Sequence, residues 1–259
     1  MSSPTRHLPG QKPRLSIIVA TWNAARTLER CLESVNSQKF TEWELLIADG
    51  ASTDGTVDII RQHEAGLSWW QSRKDGGIYD AWNQALSHAR GDYICFLGAD
   101  DFLVSDTTLA ALFGAIGEQQ YDLVSSRGIV FNPVTGKENK FGSAWNYHRL
   151  GRHMVVCHPG LLHKRSLFEA HGVFNTRYRI AADLEFLLRL APTLSTLDVD
   201  MVTVRIEAAG ISRRNVMKRL REQREILASC ERYGPLRARL VWLDKLWRYP
   251  IAQWLDISH

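Results

Sequence analysis

The sequence predicts an α/β protein in which helices flank a mainly parallel, twisted sheet. Two observations support this fold class: short apolar, β-branched runs alternate with segments of helical spacing, and each run ends in a polar turn. Continuous apolar runs are typical of strands that are covered on both faces. With 259 residues, 45% of them hydrophobic, the chain is long enough to bury one large core.

The alternation is clearest in the first hundred residues. The predicted strands are Leu15 to Ala20, Trp43 to Ala48, Leu67 to Trp70 and Tyr93 to Leu97, and the helices between them begin near Leu28, Thr56 and Ile78. Further along, the spacing predicts strands over 122–131 and 193–206 and helices over 109–116, 166–171, 183–190 and 215–230. We therefore expect a flexible leader at 1–13, one α/β domain at 14–210, and a basic, Trp-rich helical extension at 211–259.

Composition and missing motifs narrow the functional classes. The four cysteines are widely spaced, which indicates reduced thiols and a cytoplasmic protein rather than a disulfide scaffold. The chain shows no signal-peptide region and no apolar run of about 18 residues, so we expect a soluble protein, at most attached to the inner face of a membrane. The absence of a P-loop, a dinucleotide fingerprint and a G-x-S-x-G elbow disfavours the corresponding enzyme classes. No cysteine or histidine spacing suits zinc.

Polar residues follow four of the predicted strands. They are Thr21-Trp22-Asn23, Asp49-Gly50, Asp75-Gly76-Gly77 and Asp100-Asp101. In open α/β sheets, ligands bind at the carboxyl ends of the strands. The sequence therefore predicts one ligand site at this edge of the sheet.

The acids at these strand ends have two interpretations each. Asp100 and Asp101 are adjacent and repel each other, which a Mg²⁺ or Mn²⁺ ion bridging a diphosphate would relieve, although one of them could instead cap the next helix. Asp49 and Asp75 could accept hydrogen bonds from a ribose or a base, or simply form Asp-Gly turns. Asp183 begins an apolar helix, where it could be a cap or a general base.

Three stretches resemble the family-2 glycosyltransferases of the GT-A fold: LSIIVATWN at 15–23, ELLIADGASTDGT at 44–56 and GDYICFLGADD at 91–101. The resemblance covers roughly residues 14–210. A fourth stretch, DGGIYDAWN at 75–83, looks like a subgroup from bacterial polysaccharide gene clusters. The resemblance implies an inverting enzyme that moves a sugar from a nucleoside-diphosphate sugar to a saccharide or lipid-linked acceptor, in polysaccharide or glycolipid assembly.

The resemblance also implies roles for single residues. Ala20 and Trp22 would flank the nucleobase, and Asp49 would lie near the base or the ribose. Asp100 would face the ribose and the diphosphate, and Asp101 would bind the Mn²⁺ or Mg²⁺ ion. The remaining role belongs to Asp183, which matches the family's catalytic base and would take the proton of the attacking hydroxyl.

Two positions depart from the family pattern. Gly50 stands where many members have a second acid that contacts the base, so the pattern does not fix the nucleobase. Trp82 stands where many have an arginine, so diphosphate binding would depend more on the metal, with Arg213 or Arg214 as helpers.

Other classes are weighed on particular features. A nucleotidyltransferase would carry a glycine-rich basic loop after the first strand, and this chain does not. A degenerate nucleotide-binding or membrane-surface module without transferase activity would lack the acids that this chain retains. From Leu236 onward, basic residues alternate with leucine and tryptophan, which suits either a peripheral membrane helix or a helix packed back on the domain. Glutamates interrupt the basic stretch, so we expect no nucleic-acid partner.

Overall fold

The computed structural model describes residues 12–208 and 215–254, with side chains up to residue 247. In chain order the strands are β1 (Leu15–Thr21), β2 (Trp43–Asp49), β3 (Trp69–Ser72), β4 (Tyr93–Gly98), β5 (Asp101–Leu103), β6 (Leu123–Phe131), β7 (Glu138–Phe141), β8 (Leu162–Lys164) and β9 (Thr196–Glu207). The helices are α1 (Leu28–Asn36), α2 (Thr56–Gln62), α3 (Ile78–Leu86), α4 (Thr108–Ile116), α5 (Arg165–His171), α6 (Ala182–Arg189), α7 (Val216–Ser229) and α8 (Gly234–Trp254). A short 3-10 helix lies at Glu64–Gly66.

The strands form one mixed sheet in the order β3-β2-β1-β4-β8-β6-β9-β5, and β7 pairs with β6 outside this order. The first four strands in this order are parallel, as the sequence predicts. β6 and β9 form a second parallel pair. β8 runs antiparallel to β4 and β6, β5 runs antiparallel to β9, and β7 runs antiparallel to β6.

Two apolar layers cover the two faces of the sheet, because successive side chains of a strand point to opposite faces. Ile18 and Phe96 pack in the layer that includes α3, α5 and α6. Ile17 and Leu97 pack in the layer that includes α1 and α4. Both α7 and α8 also contribute to the first layer, for example through Ile226. The helical extension is therefore packed against the domain, and the predicted domain boundaries stay a prediction.

Register brings the predicted polar turns to one edge. Thr21 at the end of β1 lies beside Asp49 at the end of β2, and Asp49 lies beside Ser72 at the end of β3. On the other side of β1, Ala20 lies beside Gly98 at the end of β4. The sheet thus places the four turns side by side, where a ligand could touch all of them.

Three short strands and several boundaries differ from the sequence prediction; β9, for example, begins three residues later than expected. β5, β7 and β8 are three or four residues long and were not predicted, and β3 begins two residues later than expected. β5 puts Asp101 in register with Ile206 of β9. No described helix is long and apolar enough to cross a membrane.

Candidate active site

Asp49 binds the ends of the first three strands together. Its two carboxylate oxygens accept hydrogen bonds from the hydroxyls of Thr21 at 2.7 Å, Ser52 at 2.5 Å and Ser72 at 2.6 Å. The backbone N–H of Ser52 also donates to Asp49, at 2.9 Å. This buried carboxylate therefore shapes the turn, and its predicted contact with a nucleotide stays a prediction.

Trp22 and Asp75 both lie close to Gly50. The Trp22 side chain is 67% exposed, and Ala20 lies buried two residues before it. A Cβ atom added at Gly50 would lie 2.9 Å from Asp75 Oδ2 and 3.3 Å from Trp22 Cδ1. The missing side chain at position 50 thus leaves room for the Asp75 carboxylate, which occupies the space that a second acid in the Asp49-Gly50 turn would need.

The turn from Asp75 to Gly77 leads directly into α3. Asp75 Oδ1 accepts the backbone N–H of Gly77 at 2.7 Å, and Asp80 Oδ2 accepts that of Gly76 at 2.7 Å. Gly77 has a φ of 113°, a conformation that favours glycine. A Cβ atom there would lie 3.0 Å from Nη1 of Arg179, so this guanidinium reaches the turn from the segment before α6.

Asp100 and Asp101 lie close together at the end of β4, and both have a raised pKa. Burial raises the pKa of Asp101 well above its usual value, and the neighbouring charge of Asp100 raises it further. Burial likewise raises the pKa of Asp100. The backbone N–H of Gly98 donates to Asp101 Oδ2 at 2.7 Å and opposes the shift. Two crowded carboxylates that resist ionisation form a site that favours a cation.

Sequence reasoning missed Glu207, a buried acid at the end of β9 that lies near this pair. The Glu207 charge contributes to the raised pKa of Asp100. Burial raises the pKa of Glu207, but hydrogen bonds from Arg26 and Arg30 outweigh it and leave the pKa below its usual value. Arg30 Nη2 lies 3.1 Å from Glu207 Oε2. Only tertiary structure could reveal Glu207, because β9 is far from β4 in sequence.

Asp183 lies in the first turn of α6, half-buried, beside the hydroxyl of Tyr79 from α3. Its Oδ1 atom accepts the backbone N–H of Leu184 at 2.8 Å and lies 3.0 Å from Tyr79 Oη. Tyr79 Oη also lies 3.0 Å from the carbonyl oxygen of Ile180. Burial raises the pKa of Asp183 to about 6, while the bonds from Leu184 and Tyr79 oppose that shift. Sequence reasoning found Asp183 and missed Tyr79, which lies within the DGGIYDAWN stretch.

The Tyr79 hydroxyl has one proton and two neighbouring oxygen acceptors. Which of them receives its hydrogen bond depends on whether Asp183 is protonated. It can donate to an ionised Asp183, or it can donate to the Ile180 carbonyl while a protonated Asp183 donates to it. Both protonation states of Asp183 therefore find a partner. Such an arrangement suits a carboxylate that gains and loses a proton.

Trp82 is a core residue. Its ring lies 4.9 Å from that of Phe96 and 5.6 Å from that of His158, between centroids, and it is 5% exposed. A side chain so enclosed cannot take the place of a phosphate-binding arginine. The predicted helpers Arg213 and Arg214 lie outside the described residues.

No group of three or more histidine, cysteine, aspartate or glutamate side chains arranged to hold a metal ion occurs within residues 12–208 and 215–247. Asp100 and Asp101 offer two adjacent carboxylates at the end of β4. Mg²⁺ is often bound by one or two carboxylates together with substrate phosphates, and such a site needs fewer protein ligands.

Comparison with known proteins agrees with this geometry. The family model described as "Glycosyl transferase family 2" matches residues 16–165, more than half of the chain. The chain belongs to this family. It is a glycosyltransferase of the GT-A fold, as the resemblance of its strand-end motifs implies. Asp183 and all of α6 lie beyond the matched residues, so their place in the site depends on the structure.

Curated relatives of this glycosyltransferase include a "PGL/p-HBAD biosynthesis glycosyltransferase" of Mycobacterium bovis, 36% identical over 182 residues, with 68% of this chain and 69% of the relative covered. Another is the "Putative glycosyltransferase EpsE" of Bacillus subtilis, 28% identical over 219 residues, with 82% and 73% covered.

Solved structures share the fold of this glycosyltransferase. A mannosyltransferase from Pyrobaculum calidifontis in complex with GDP-Man and Mn²⁺ gives a TM-score of 0.67 at 23% identity, covering 95% of this chain and 74% of that one. The 1–349 fragment of S. aureus TarS in complex with UDP-GlcNAc gives 0.65 at 19% identity, covering 90% and 71%. At these identities the likeness concerns the fold.

Proposed function

We propose that this glycosyltransferase inverts the anomeric centre of a nucleoside-diphosphate sugar as it transfers the sugar to a hydroxyl of a saccharide or lipid-linked acceptor. The observation that carries the proposal is the Asp183 carboxylate, whose pKa is raised to about 6 and which contacts Tyr79 at the start of α3. A carboxylate with a pKa near neutrality suits a general base. Polysaccharide or glycolipid assembly is the process that fits this reaction, and the M. bovis relative is named for a biosynthetic pathway.

In the proposed reaction, Asp183 removes the proton of the acceptor hydroxyl as the oxygen attacks the anomeric carbon. The new C–O bond forms on the face opposite the leaving diphosphate, so the configuration inverts. Tyr79 then holds the protonated Asp183 by accepting its hydrogen bond while donating to the Ile180 carbonyl. The proton leaves Asp183 to solvent after the product departs.

The acid pair at the end of β4 fits a divalent cation. Asp101 would bind Mn²⁺ or Mg²⁺ and Asp100 would face the ribose and the diphosphate. Burial raises the pKa of both acids, and the neighbouring charge of Asp100 raises that of Asp101 further, so a cation would favour the ionised pair. A bound ion would neutralise charge on the leaving diphosphate. Mn²⁺ accompanies GDP-Man in the P. calidifontis structure, which supports this cofactor class.

The donor's nucleoside would lie along the ends of β1, β2 and β3. Exposed Trp22 offers an aromatic face for the base, beside Ala20, and Asp75 offers a carboxylate within the same pocket edge. Asp49 would lie near the ribose or the base, and it stabilises the turn that would contact them. Two solved structures that share the fold are complexes with UDP-GlcNAc and with GDP-Man, which supports a nucleoside-diphosphate sugar as the donor.

A thermal-shift screen of nucleotide-sugars, with and without Mn²⁺, tests the proposal. We expect one donor to raise the Tm, more so with Mn²⁺, because a ligand that binds only the folded state stabilises it. Asp101→Asn should remove the Mn²⁺-dependent part of the shift. Asp183→Asn should keep donor binding and remove transfer. Failure of every donor to bind would refute the proposal, and binding without transfer to any acceptor would favour a degenerate nucleotide-binding module.

We also propose that the outer face of α8 contacts the inner face of a membrane. Leu236, Leu240, Leu243 and Trp247 lie at intervals of three or four residues and are exposed, with Trp247 76% exposed. This spacing puts them on one face of the helix, with exposed Arg237 and Arg239 beside it. An apolar ridge between arginines suits a surface of anionic lipids.

Vesicle co-sedimentation tests this contact. The protein should bind vesicles that contain about one-third phosphatidylglycerol, and binding should weaken with salt because Debye screening shortens the arginine attraction. Leu240→Ser combined with Trp247→Ser should abolish binding, whereas Val134→Ser, at an exposed turn between β6 and β7, should not change it. Equal binding of both variants would exclude α8 as the contact. The cytoplasmic location stays a prediction.

A further inference from the structure

Glu222 of α7 directs its carboxylate at the segment that precedes α6. It accepts the backbone N–H of Arg179 at 3.0 Å, that of Ile180 at 2.8 Å and that of Ala181 at 3.1 Å. Glu222 is only 8% exposed. Three consecutive N–H groups converging on one anion form a backbone nest, which fixes the conformation of the segment that supplies them.

These N–H groups depend on Glu222 for a partner. Ile180 and Ala181 are buried, and a buried N–H without an acceptor is strongly unfavourable. Glu222 itself is held in place because α7 packs into the core through Leu220, Ile226 and Leu227. The nest therefore joins the segment before α6 to the helical extension.

The segment held by Glu222 also contacts α3 on its other side. The Ile180 carbonyl oxygen lies 3.0 Å from Tyr79 Oη, and the Arg179 guanidinium lies against Gly77. Two residues after Ala181 comes Asp183, whose Oδ1 lies 3.0 Å from the same Tyr79 hydroxyl. A displacement of the segment would thus shift Asp183 and loosen its bond to Tyr79 together.

We propose that Glu222 is a positioning residue for the base, and that α7 belongs to the catalytic unit because it fixes the segment carrying Asp183. The inference rests on the proposed function of Asp183. Glu222 touches neither reactant; it acts by fixing the backbone from which Asp183 projects. Rates of transfer are sensitive to such placement, since a shift of about 1 Å can lower them about a hundredfold.

Glu222→Gln tests the inference, with Glu225→Gln as the matched control. Glutamine keeps the size of the side chain, but its NH₂ group faces N–H donors and must give up at least one of their bonds. Glu225 lies on the same helix, its side chain is 48% exposed, and its Oε2 atom lies 4.0 Å from Nη2 of Arg177. Both variants should remain folded, which a thermal melt verifies.

For Glu222→Gln we expect kcat to fall about tenfold to a hundredfold while KM for the donor changes less than about twofold. Amide hydrogen exchange at residues 179–181 should accelerate, because these N–H groups lose an acceptor. The acid limb of the pH–rate profile should move up, because a displaced Asp183 loses part of the hydrogen bond from Tyr79 that favours its ionised form. The backbone N–H of Leu184 and the charge of Arg219, which also lower the pKa of Asp183, are present in both proteins. Glu225→Gln should match the parent in all three measurements.

An unchanged kcat, or unchanged exchange at 179–181, would overturn the inference. A fall in kcat with an unmoved acid limb and a raised donor KM would also overturn it, because that result indicates a general loss of structure. The proposed function is judged separately by Asp183→Asn. Transfer by that variant would refute the base assignment, whatever Glu222→Gln does.

Discussion

Tyr79→Phe should raise the pKa of Asp183 and shift the pH dependence of transfer. Tyr79 Oη lies 3.0 Å from Asp183 Oδ1, and its hydrogen bond stabilises the ionised carboxylate. Phenylalanine keeps the buried ring and removes only the hydroxyl. Asp183 then retains the backbone N–H of Leu184 as its donor.

The size of the shift follows from the strength of the lost bond. A hydrogen bond to a charged group contributes about 1.5–3 kcal/mol, and one pKa unit corresponds to about 1.4 kcal/mol. The pKa of Asp183, about 6 in the parent, should therefore rise by about one to two units. At pH 6 about half of the parent molecules carry ionised Asp183, and in the variant about 1–10% do. Transfer at pH 6 should fall about fivefold to fiftyfold and recover almost fully at pH 9.

The assay is the pH profile of kcat at saturating donor and acceptor, from pH 5 to 9.5. Tyr147→Phe is the control, because its hydroxyl donates to the carbonyl of Leu188 in the same helix, 3.3 Å away, and not to Asp183. An acid limb that stays in place, or moves down, would refute the assignment of Tyr79 as a donor to the base. An equal loss of rate at pH 6 and pH 9 would refute it as well.

Three further predictions concern stability and the donor pocket. Burial lowers the pKa of His158 to about 3 and that of His163 well below its usual value, so the unfolded state binds more protons below about pH 6.5. Between pH 6.5 and pH 5 the unfolding free energy of the parent should fall by about 2 kcal/mol more than that of His158→Phe, which lacks this histidine. The acids with raised pKa are present in both proteins and cancel in the comparison. Urea titrations that show equal losses would contradict the prediction. Gly91→Ala puts a Cβ atom 2.4 Å from a backbone nitrogen of β1 and should lower the unfolding free energy by about 3 kcal/mol or more. In the control Gly114→Ala, the new Cβ atom meets no atom within 4 Å, and the variant should stabilise α4 by up to about 1 kcal/mol. Gly50→Asp introduces a side chain whose Cβ would lie 2.9 Å from Oδ2 of Asp75, so the affinity for the donor, measured by calorimetry, should fall. An unchanged affinity would show that Asp75 moves aside without affecting the donor.

The parallel half of the sheet could be predicted from sequence because its strands are covered on both faces. Leu15 to Thr21 and Tyr93 to Gly98 are mostly apolar runs, and their positions match the structure to within a residue. β5, β7 and β8 could not be predicted, because a strand of three or four residues has too few positions to show a period. Their place is set by tertiary pairing with strands distant in sequence.

Site residues that directly follow a predicted strand could be predicted from the sequence. Site residues that depend on a contact between distant elements could not. Asp100 and Asp101 follow β4 and could be read directly. Glu207 and Glu222 could not, because their partners lie more than 40 residues away in sequence: Glu207 bonds to Arg26 and Arg30, and Glu222 bonds to the segment before α6. Periodicity places a glutamate on a helix face or a strand end and does not say which backbone groups that face will meet.

The number of hydrogen bonds that each carboxylate accepts distinguishes Asp49 from Asp101. A carboxylate has about four lone-pair sites. Asp49 accepts four hydrogen bonds from Thr21, Ser52 and Ser72, so a nucleotide contact there would compete with bonds that hold three strand ends together. Asp101, within the part of the chain that the structure describes, accepts one, from Gly98, and the charge of Asp100 raises its pKa further. A buried carboxylate with so few donors and a raised pKa is stabilised most by an external cation. The acid pair at the end of β4 therefore suits the cation that we propose, whereas the hydrogen bonds of Asp49 at the end of β2 are complete without a ligand.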